Sequence, residues 1–356
     1  MKATVYVLVA LLLCGFQESD RLYVCPPCDC PAHEPEQTFA SDGHCPYCGM
    51  NLIEKTDGSR INQVDIHTGS GNFLIKGGSG HEDKSITVFY HMPESFSTES
   101  PVLIVVPGTG RNGYDYRDAW IEASERHGVL VLSPQYPEAT YGFGDYHMGG
   151  LMGDINLAES VEYVENTNEV RLDEEALAYE VNSSPAELIF SDFDRMFEMT
   201  AEAVGSTRTS YDIFGHSAGG QILHRFVIFY PGSKADRILA SNAGFYTLPG
   251  FDEALPFGLE NAPVDEDELE AAFGKCLVLF LGELDDAKET GGLMLRSPTV
   301  DEQGAGRLAR GRYFYRTSKA AAQALGAPFN WTLEVIPDIG HDYVGMSAAA
   351  AEYLYE

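Results

Sequence analysis

Bases are scarce in this chain. Its 356 residues hold 23 Lys plus Arg against 54 Asp plus Glu, a formal charge of −31 at pH 7. So acidic a surface excludes nucleic acid and anionic membrane as main partners, because phosphate recognition runs on clustered cations. Long apolar runs are missing as well: the longest, over residues 3–13, is about half of what a membrane-spanning helix requires. With 44% hydrophobic, 22% charged and 11% aromatic residues, the composition excludes disorder, collagen and coiled coil. No dinucleotide-binding fingerprint is present, so no redox cofactor is expected. The length suffices for one large core.

The acid that is there is concentrated. Residues 138–204 hold 16 acids and 2 bases, and residues 251–270 hold 8 acids and no base. Two readings are open: a solvated, salt-tolerant surface, or an acidic rim that repels anionic substrates. At the N-terminus, Lys2, the apolar run and polar residues from Gln17 onward form an export signal over residues 1–16. Leu11-Leu12-Leu13-Cys14 resembles a bacterial lipobox, which leaves Cys14 either as a lipid anchor or as a residue lost with the signal. The expected location is exported: periplasmic, cell-surface or secreted.

Five of the seven cysteines, Cys25, Cys28, Cys30, Cys45 and Cys48, fall within 24 residues. Cys25-Pro26-Pro27-Cys28 and Cys45-Pro46-Tyr47-Cys48 are two C-x2-C turns with 16 residues between them. Each such turn aims two thiolates at one point, and two turns close a tetrahedral site. Cys25, Cys28, Cys45 and Cys48 are therefore expected to hold a structural zinc, with Cys30, His33 and His44 as spare ligands. A pair of disulfides is the alternative in an oxidising compartment. Residues 21–54, and above all C-P-Y-C-G-M-N-L, resemble the small heavy-metal-binding, zinc-ribbon-like modules fused to exported bacterial proteins.

From residue 66 onward short β runs alternate with helical stretches. Strands are expected over 86–90, 102–106, 128–132, 211–214, 238–240, 276–281 and 331–336, several continuously apolar as in strands buried on both faces. Helices are expected over 118–127 and 186–204, the second capped by Ser184 with Pro185 in its first turn. This alternation predicts an α/β fold with a mostly parallel sheet.

Gly215-His216-Ser217-Ala218-Gly219 follows the run Y-D-I-F and precedes a helix with Ile222, Leu223, Phe226 and Val227 on one face. A G-x-S-x-G between strand and helix presents its serine on a tight turn, at a helix start that favours a developing anion. The serine needs a base, and the base needs an acid to fix its tautomer. After the apolar run 276–281 comes Gly282-Glu283-Leu284-Asp285-Asp286. Asp285 is the expected acid, with Glu283 and Asp286 as neighbours of the same kind. The run 331–336 leads into Pro337-Asp338-Ile339-Gly340-His341, and His341 alone among the histidines follows that acid. Thr109, in the small-residue loop after 102–106, and Ala218 are the expected oxyanion donors through their N–H groups.

These pieces, P-G-T-G-R-N (107–112), G-H-S-A-G-G (215–220), N-A-G-F-Y-T-L-P (242–249), G-E-L-D (282–285) and P-D-I-G-H-D-Y (337–343), make residues 66–356 resemble the α/β-hydrolase superfamily, most of all its polyhydroxybutyrate-depolymerase and feruloyl-esterase branch. The resemblance implies an α/β-hydrolase fold with Ser217 as nucleophile, Asp285 as acid, His341 as base, and a serine hydrolase of carboxylic esters working through an acyl-enzyme. A serine peptidase on the same triad, and a cell-surface metal-binding protein using this fold as scaffold, are the other readings. Residues 138–183 are an acidic, Tyr-rich insertion, either a lid or a solvated decoration. Asn242, Phe245 and Tyr246 are candidates to line the pocket. Arg307 and Arg310 are expected to pair with carboxylates of the protein, the other reading being that they bind a substrate carboxylate.

Overall fold

The computed structural model describes residues 21–26, 30–32 and 36–356; the export-signal residues with Cys14, and also Cys28 and His33, lie outside the described residues. The chain divides into two compact units, one ending at Lys55 and one spanning Thr56–Glu356.

In the smaller unit Tyr23–Val24 pairs antiparallel with Ile53–Glu54. The Cys45 N–H donates to the Met50 carbonyl at 2.8 Å and the Gly49 N–H to the Cys45 carbonyl at 2.9 Å. Gly49 takes φ +77° in this knuckle, a conformation open to glycine at little cost.

The larger unit is built on eight strands: β1 Gly69–Lys76, β2 Ser85–Met92, β3 Val102–Val106, β4 Leu130–Gln135, β5 Tyr211–His216, β6 Ala235–Ser241, β7 Cys276–Gly282 and β8 Thr332–Ile336. They form one sheet in the order 1-2-4-3-5-6-7-8. β2 runs antiparallel to both β1 and β4, and every pair from β4 across to β8 is parallel. The expected strands all belong to this sheet. β1 was not among them, because its first half, Gly-Ser-Gly-Asn, lacks the apolar and β-branched residues that mark a strand.

The central strands are buried on both faces. In β3, Val102, Ile104 and Val106 point into one core, and Leu103 and Val105 into the other, as a period of two requires. The helices that matter for the site are α1 Phe190–Val204, α2 Ala218–Phe229, α3 Arg307–Leu325 and α4 Tyr343–Tyr355. All twelve residues of α2 are buried, so the one apolar face expected there is instead a helix enclosed all round. α1 starts later than its proline suggested. Pro185–Glu187 is a separate 3-10 turn, Ser184 makes no side-chain cap bond, and Leu188 has extended backbone. Leu188 and Ile189 are 2% and 1% exposed, so core burial overrides the local start signal.

The chain leaves β3 for β4 on one side and later enters β5 on the other. The carboxyl ends of β3 and β5 therefore flank the crevice where strand order reverses, the usual binding place in such sheets. The turn from β5 into α2 fits there only because two side chains are missing. A Cβ at Gly219 would collide with the Val106 carbonyl at the end of β3, and one at Gly215 would lie 2.5 Å from the Gly219 carbonyl oxygen. Gly219→Ala is expected to cost at least ~1–3 kcal/mol, since neither strand end can yield. An unchanged thermal midpoint for that variant would contradict this account.

Candidate active site

β5 ends at His216 and α2 begins at Ala218, so Ser217 alone makes the turn. Its φ of 59° and ψ of −115° lie where residues with a Cβ are rare, a strain of ~1–3 kcal/mol held by the surrounding packing. The Ser217 N–H is anchored on the Ser241 carbonyl of β6 at 2.9 Å. The hydroxyl thereby projects from the sheet's carboxyl edge.

Asp285 follows β7 and His341 follows β8, and the sheet brings both to the serine. The Ser217 hydroxyl lies 3.0 Å from His341 Nε2, and His341 Nδ1 lies 2.8 Å from Asp285 Oδ2. A carboxylate only accepts, so the Nδ1 side carries the proton and Nε2 is left to accept from the hydroxyl. Glu283 and Asp286, the alternatives to Asp285, make no such bond to the imidazole among the described residues.

Asp285 is fully buried, and a second partner compensates it. Arg307 at the start of α3, 1% exposed, donates to Asp285 Oδ1 at 2.8 Å. Its other nitrogen donates to the carbonyls of Gly291 at 3.1 Å and Leu293 at 2.8 Å, tying the loop after Asp285 to the same point. Arg310 reaches Asp301 at 3.3 Å, so both arginines pair with carboxylates as expected.

Two further residues hold the histidine loop. Glu289 accepts the His341 N–H at 2.9 Å and the Gly291 N–H at 2.7 Å, and these backbone donors, Gly291 first, hold its carboxyl below the usual range. Asn242 accepts the Gly282 N–H at 2.8 Å and donates to the Gly340 carbonyl at 3.1 Å. It therefore clamps the acid loop to the histidine loop, rather than lining the pocket. Glu289 did not stand out from the sequence, and Asn242 did only as a pocket candidate, since the contacts that tie them to the catalytic loops, to His341, Gly282 and Gly340, span 40 residues or more. His216, enclosed beside His341 with ring centres 4.6 Å apart, is kept neutral: burial, then the charges of His341 and Arg307, push its pKa well down.

A cavity of about 350 Å³ opens on the serine, lined by Thr109, Ser217, Gln221 and Phe245 together with much of the 138–183 insertion. The insertion contributes Phe143, Met152, Ile155, Leu157, Val161, Val170, Leu172 and Leu177 to its wall, and a single acid, Glu138. It is thus a roof whose apolar side faces the cavity, while its acids face solvent. Tyr246 is buried against Phe314 instead, with ring centres 4.6 Å apart. Of the two expected oxyanion donors, Thr109 lines the cavity beside Ser217, and Ala218 opens α2, where first-turn N–H groups have no partner within the helix. The Gly108 N–H next to Thr109 is bonded by the Tyr116 hydroxyl.

In the smaller unit the sulfurs of Cys25, Cys30, Cys45 and Cys48 lie within 4.8 Å of one another. Cys30 takes part where Cys28 was expected, and Cys28 itself lies outside the described residues. The Cys25–Cys48, Cys25–Cys30 and Cys30–Cys45 sulfur separations are 3.4, 3.7 and 3.9 Å. Ligands at ~2.3 Å around a tetrahedral ion stand about 3.8 Å apart, so this group fits a metal. His44 stays outside the group, exposed, in an isolated bridge to Asn51.

A serine, imidazole and carboxylate in relay at the mouth of a roofed cavity define a nucleophilic hydrolase site. The chain belongs to the α/β-hydrolase superfamily and is a hydrolase. It is 34% identical to the solved poly(aspartic acid) hydrolase-1 from Sphingomonas sp. KT-1, with a TM-score of 0.70 over 82% of this chain and 100% of that one. It is 27% identical to LpqC, a poly(3-hydroxybutyrate) depolymerase from Bordetella parapertussis, with a TM-score of 0.68 over 81% of this chain and 90% of that one. No family model matches the sequence, and no curated protein does.

Removing one partner of a buried pair leaves the other charge uncompensated, at a cost of ~3–5 kcal/mol. Arg307→Met is therefore expected to lower stability by about that amount and turnover with it. The Arg307→Met, Asp285→Asn double variant should regain part of the stability and none of the turnover. Chemical denaturation of the three proteins checks this, and a double variant no more stable than Arg307→Met would overturn the pairing argument.

Proposed function

We propose that this protein is an exported serine hydrolase that cleaves carboxylic esters through an acyl-enzyme. The observation that carries the reading is the continuous relay Ser217–His341–Asp285, whose serine lines the roofed cavity. Ser217 Oγ attacks the ester carbonyl while His341 Nε2 takes its proton, and Asp285 orients the ring and stabilises the imidazolium. The N–H groups of Thr109 and Ala218 receive the oxyanion. His341 then returns the proton to the leaving alcohol, and water attacks the acyl-enzyme by the same route in reverse. Likeness to a poly(3-hydroxybutyrate) depolymerase supports an ester as the bond cleaved.

A second reading, amide cleavage on the same residues, is favoured by the likeness to a poly(aspartic acid) hydrolase. Poly(aspartic acid) is a polyanion, and a chain of charge −31 repels it at long range. The ester reading therefore stands first.

In the smaller unit, Cys25, Cys30, Cys45 and Cys48 are proposed to hold zinc, with Cys28 of the expected set as the further candidate. Four thiolates leave no open position, so the ion would have a structural role. Export rests on the N-terminal sequence; no helix among the described residues is long and apolar enough to cross a membrane.

Hydrolysis of p-nitrophenyl esters from acetate to decanoate, beside a p-nitroanilide series, tests the first reading. The esters should turn over, and Ser217→Ala should lose at least ~10³-fold in kcat/KM while remaining folded. Faster turnover of anilides than esters would give the place to the amidase reading. For the smaller unit, metal analysis of the purified protein should find about one zinc per chain, absent from Cys30→Ser and from Cys45→Ser. Zinc retained in Cys30→Ser would remove Cys30 from the ligand set.

A further inference from the structure

Among the described residues five arginines are buried: Arg111, Arg117, Arg225, Arg307 and Arg310. Arg117, Arg307 and Arg310 each pair with a carboxylate, Asp118, Asp285 and Asp301 respectively. Among the described residues Arg111 and Arg225 have no carboxylate within ion-pair distance, although Glu138 and Asp145 act on Arg111 from farther off, in a protein with more than twice as many acids as bases. Both stand at the catalytic cavity. Arg111 follows two residues after Thr109 on the proposed oxyanion loop, is 5% exposed, and lines the cavity itself. Arg225 is fully buried one layer behind, against the cavity residues His147, Gln221 and Phe245.

Their partners are neutral. Arg111 donates from Nη1 to the carbonyls of Tyr136 (3.4 Å) and Tyr141, and from Nη2 to that of Gly142 (3.4 Å), and it lies 4.6 Å over the Tyr146 ring. Its Nε–H has no partner. Arg225 donates from Nε to the Thr247 hydroxyl at 2.9 Å, and from Nη1 to the carbonyls of His147 at 2.9 Å and Gln221 at 3.1 Å; its Nη2 has no partner. His147, which feels both arginines, adds no third positive charge. Burial, and then Arg111 and Arg225, depress its pKa to about 3, so it is neutral. Glu138 is the single acid on the cavity wall, is solvent-exposed, and is not paired with Arg111.

Burying a cation without a directly paired counter-ion is costly, and two beside one cavity leave one end positive, offset only in part by Glu138 and Asp145 near Arg111. We propose that this end is completed by the substrate: the acyl part of the ester carries a free carboxylate, which pairs with Arg111 and is favoured by the charge of Arg225 behind it. The proposal rests on the ester-hydrolase reading above and narrows it to half-esters of dicarboxylic acids and acyl groups of that kind. Arg111 and Thr109 line the same cavity as Ser217, so an acyl chain held in that cavity can meet both the serine and the guanidinium. The repulsive outer field slows the encounter of such an anion without affecting its pairing inside. Added salt should therefore raise kcat/KM for an anionic ester and leave a neutral one unchanged.

Monoethyl adipate and diethyl adipate differ at the far end only, where a carboxylate stands in place of an ethyl ester. Titrated calorimetrically into Ser217→Ala, which cannot turn them over, the monoanion should bind about tenfold or more tighter than the diester. In the Ser217→Ala, Arg111→Gln double variant that preference should vanish, and Arg111→Lys in the same background should keep part of it. Equal or tighter binding of the diester to Ser217→Ala would overturn the proposal, and this comparison does not depend on whether any Arg111 variant folds. An undiminished preference in a folded Arg111→Gln protein would overturn it as well. Hydrolysis of the same pair by the unaltered enzyme separates the two claims. Cleavage of both esters without preference sinks the carboxylate site and leaves the esterase standing. Tight binding of the monoanion with neither ester cleaved supports the site and sinks the esterase.

Discussion

The approach of the β5–α2 turn to the end of β3 is the constraint on which the site depends. The Val106 carbonyl occupies the space that a side chain at Gly219 would need, and the Gly219 carbonyl the space at Gly215. With both side chains absent, the chain can reverse within one residue, and Ser217 is held at φ 59° with its N–H on the Ser241 carbonyl. Relaxing that strain would take the hydroxyl away from His341, 3.0 Å off, and take the first amides of α2 away from the neighbouring loop. Fully buried α2 cannot shift to compensate, because it is packed on every side.

Around this rigid turn the site is assembled by charge compensation across strand ends. Asp285 is buried completely, which is tolerable only because His341 and Arg307 each take one of its oxygens. Arg307 in turn gathers the carbonyls of Gly291 and Leu293, and Glu289 gathers the N–H groups of Gly291 and His341. The loops after β7 and β8 are thus tied to one another as well as to the sheet. Asn242, at φ 48°, adds the third tie between Gly282 and Gly340. Loops built in this way can hold an imidazole in place without being packed in the core.

What could be read from the sequence follows from range. The strands, the elbow and the order of acid and histidine are local patterns at strand ends, and so Ser217 and His341 were legible as single residues and the acid as one of Glu283, Asp285 and Asp286, with Asp285 preferred. Arg307 and Arg310 were legible as carboxylate partners, whereas the choice of Asp285 required the sheet. Glu289 was not legible, and Asn242 was named only as a pocket residue and not as a clamp, because an acid in a loop and an Asn after a strand have many ordinary uses. The start of α1 was misread because the Ser-Pro signal is real but weaker than the burial of Leu188 and Ile189. In the cysteine cluster Cys30, named as a spare ligand and only five residues from Cys25, joins Cys25, Cys45 and Cys48, while Cys28 lies outside the described residues. Spacing alone does not order competing thiols that close in sequence.

The acidic insertion shows why net charge and site charge are separate arguments. Its acids face solvent, and the side chains it sends into the cavity are apolar apart from a few, Glu138 being the one acid. An acidic stretch therefore says nothing of the field at the serine, which is set by what lies within a few ångströms at low dielectric. There the nearest charges are Asp285, neutralised by Arg307, and the two arginines with neutral partners only, Arg111 and Arg225. A roof that is negative outside and apolar inside, over a floor that is positive at one end, discriminates twice. The outer field disfavours polyanions at long range, and the inner one favours a single negative charge that reaches the end of the pocket.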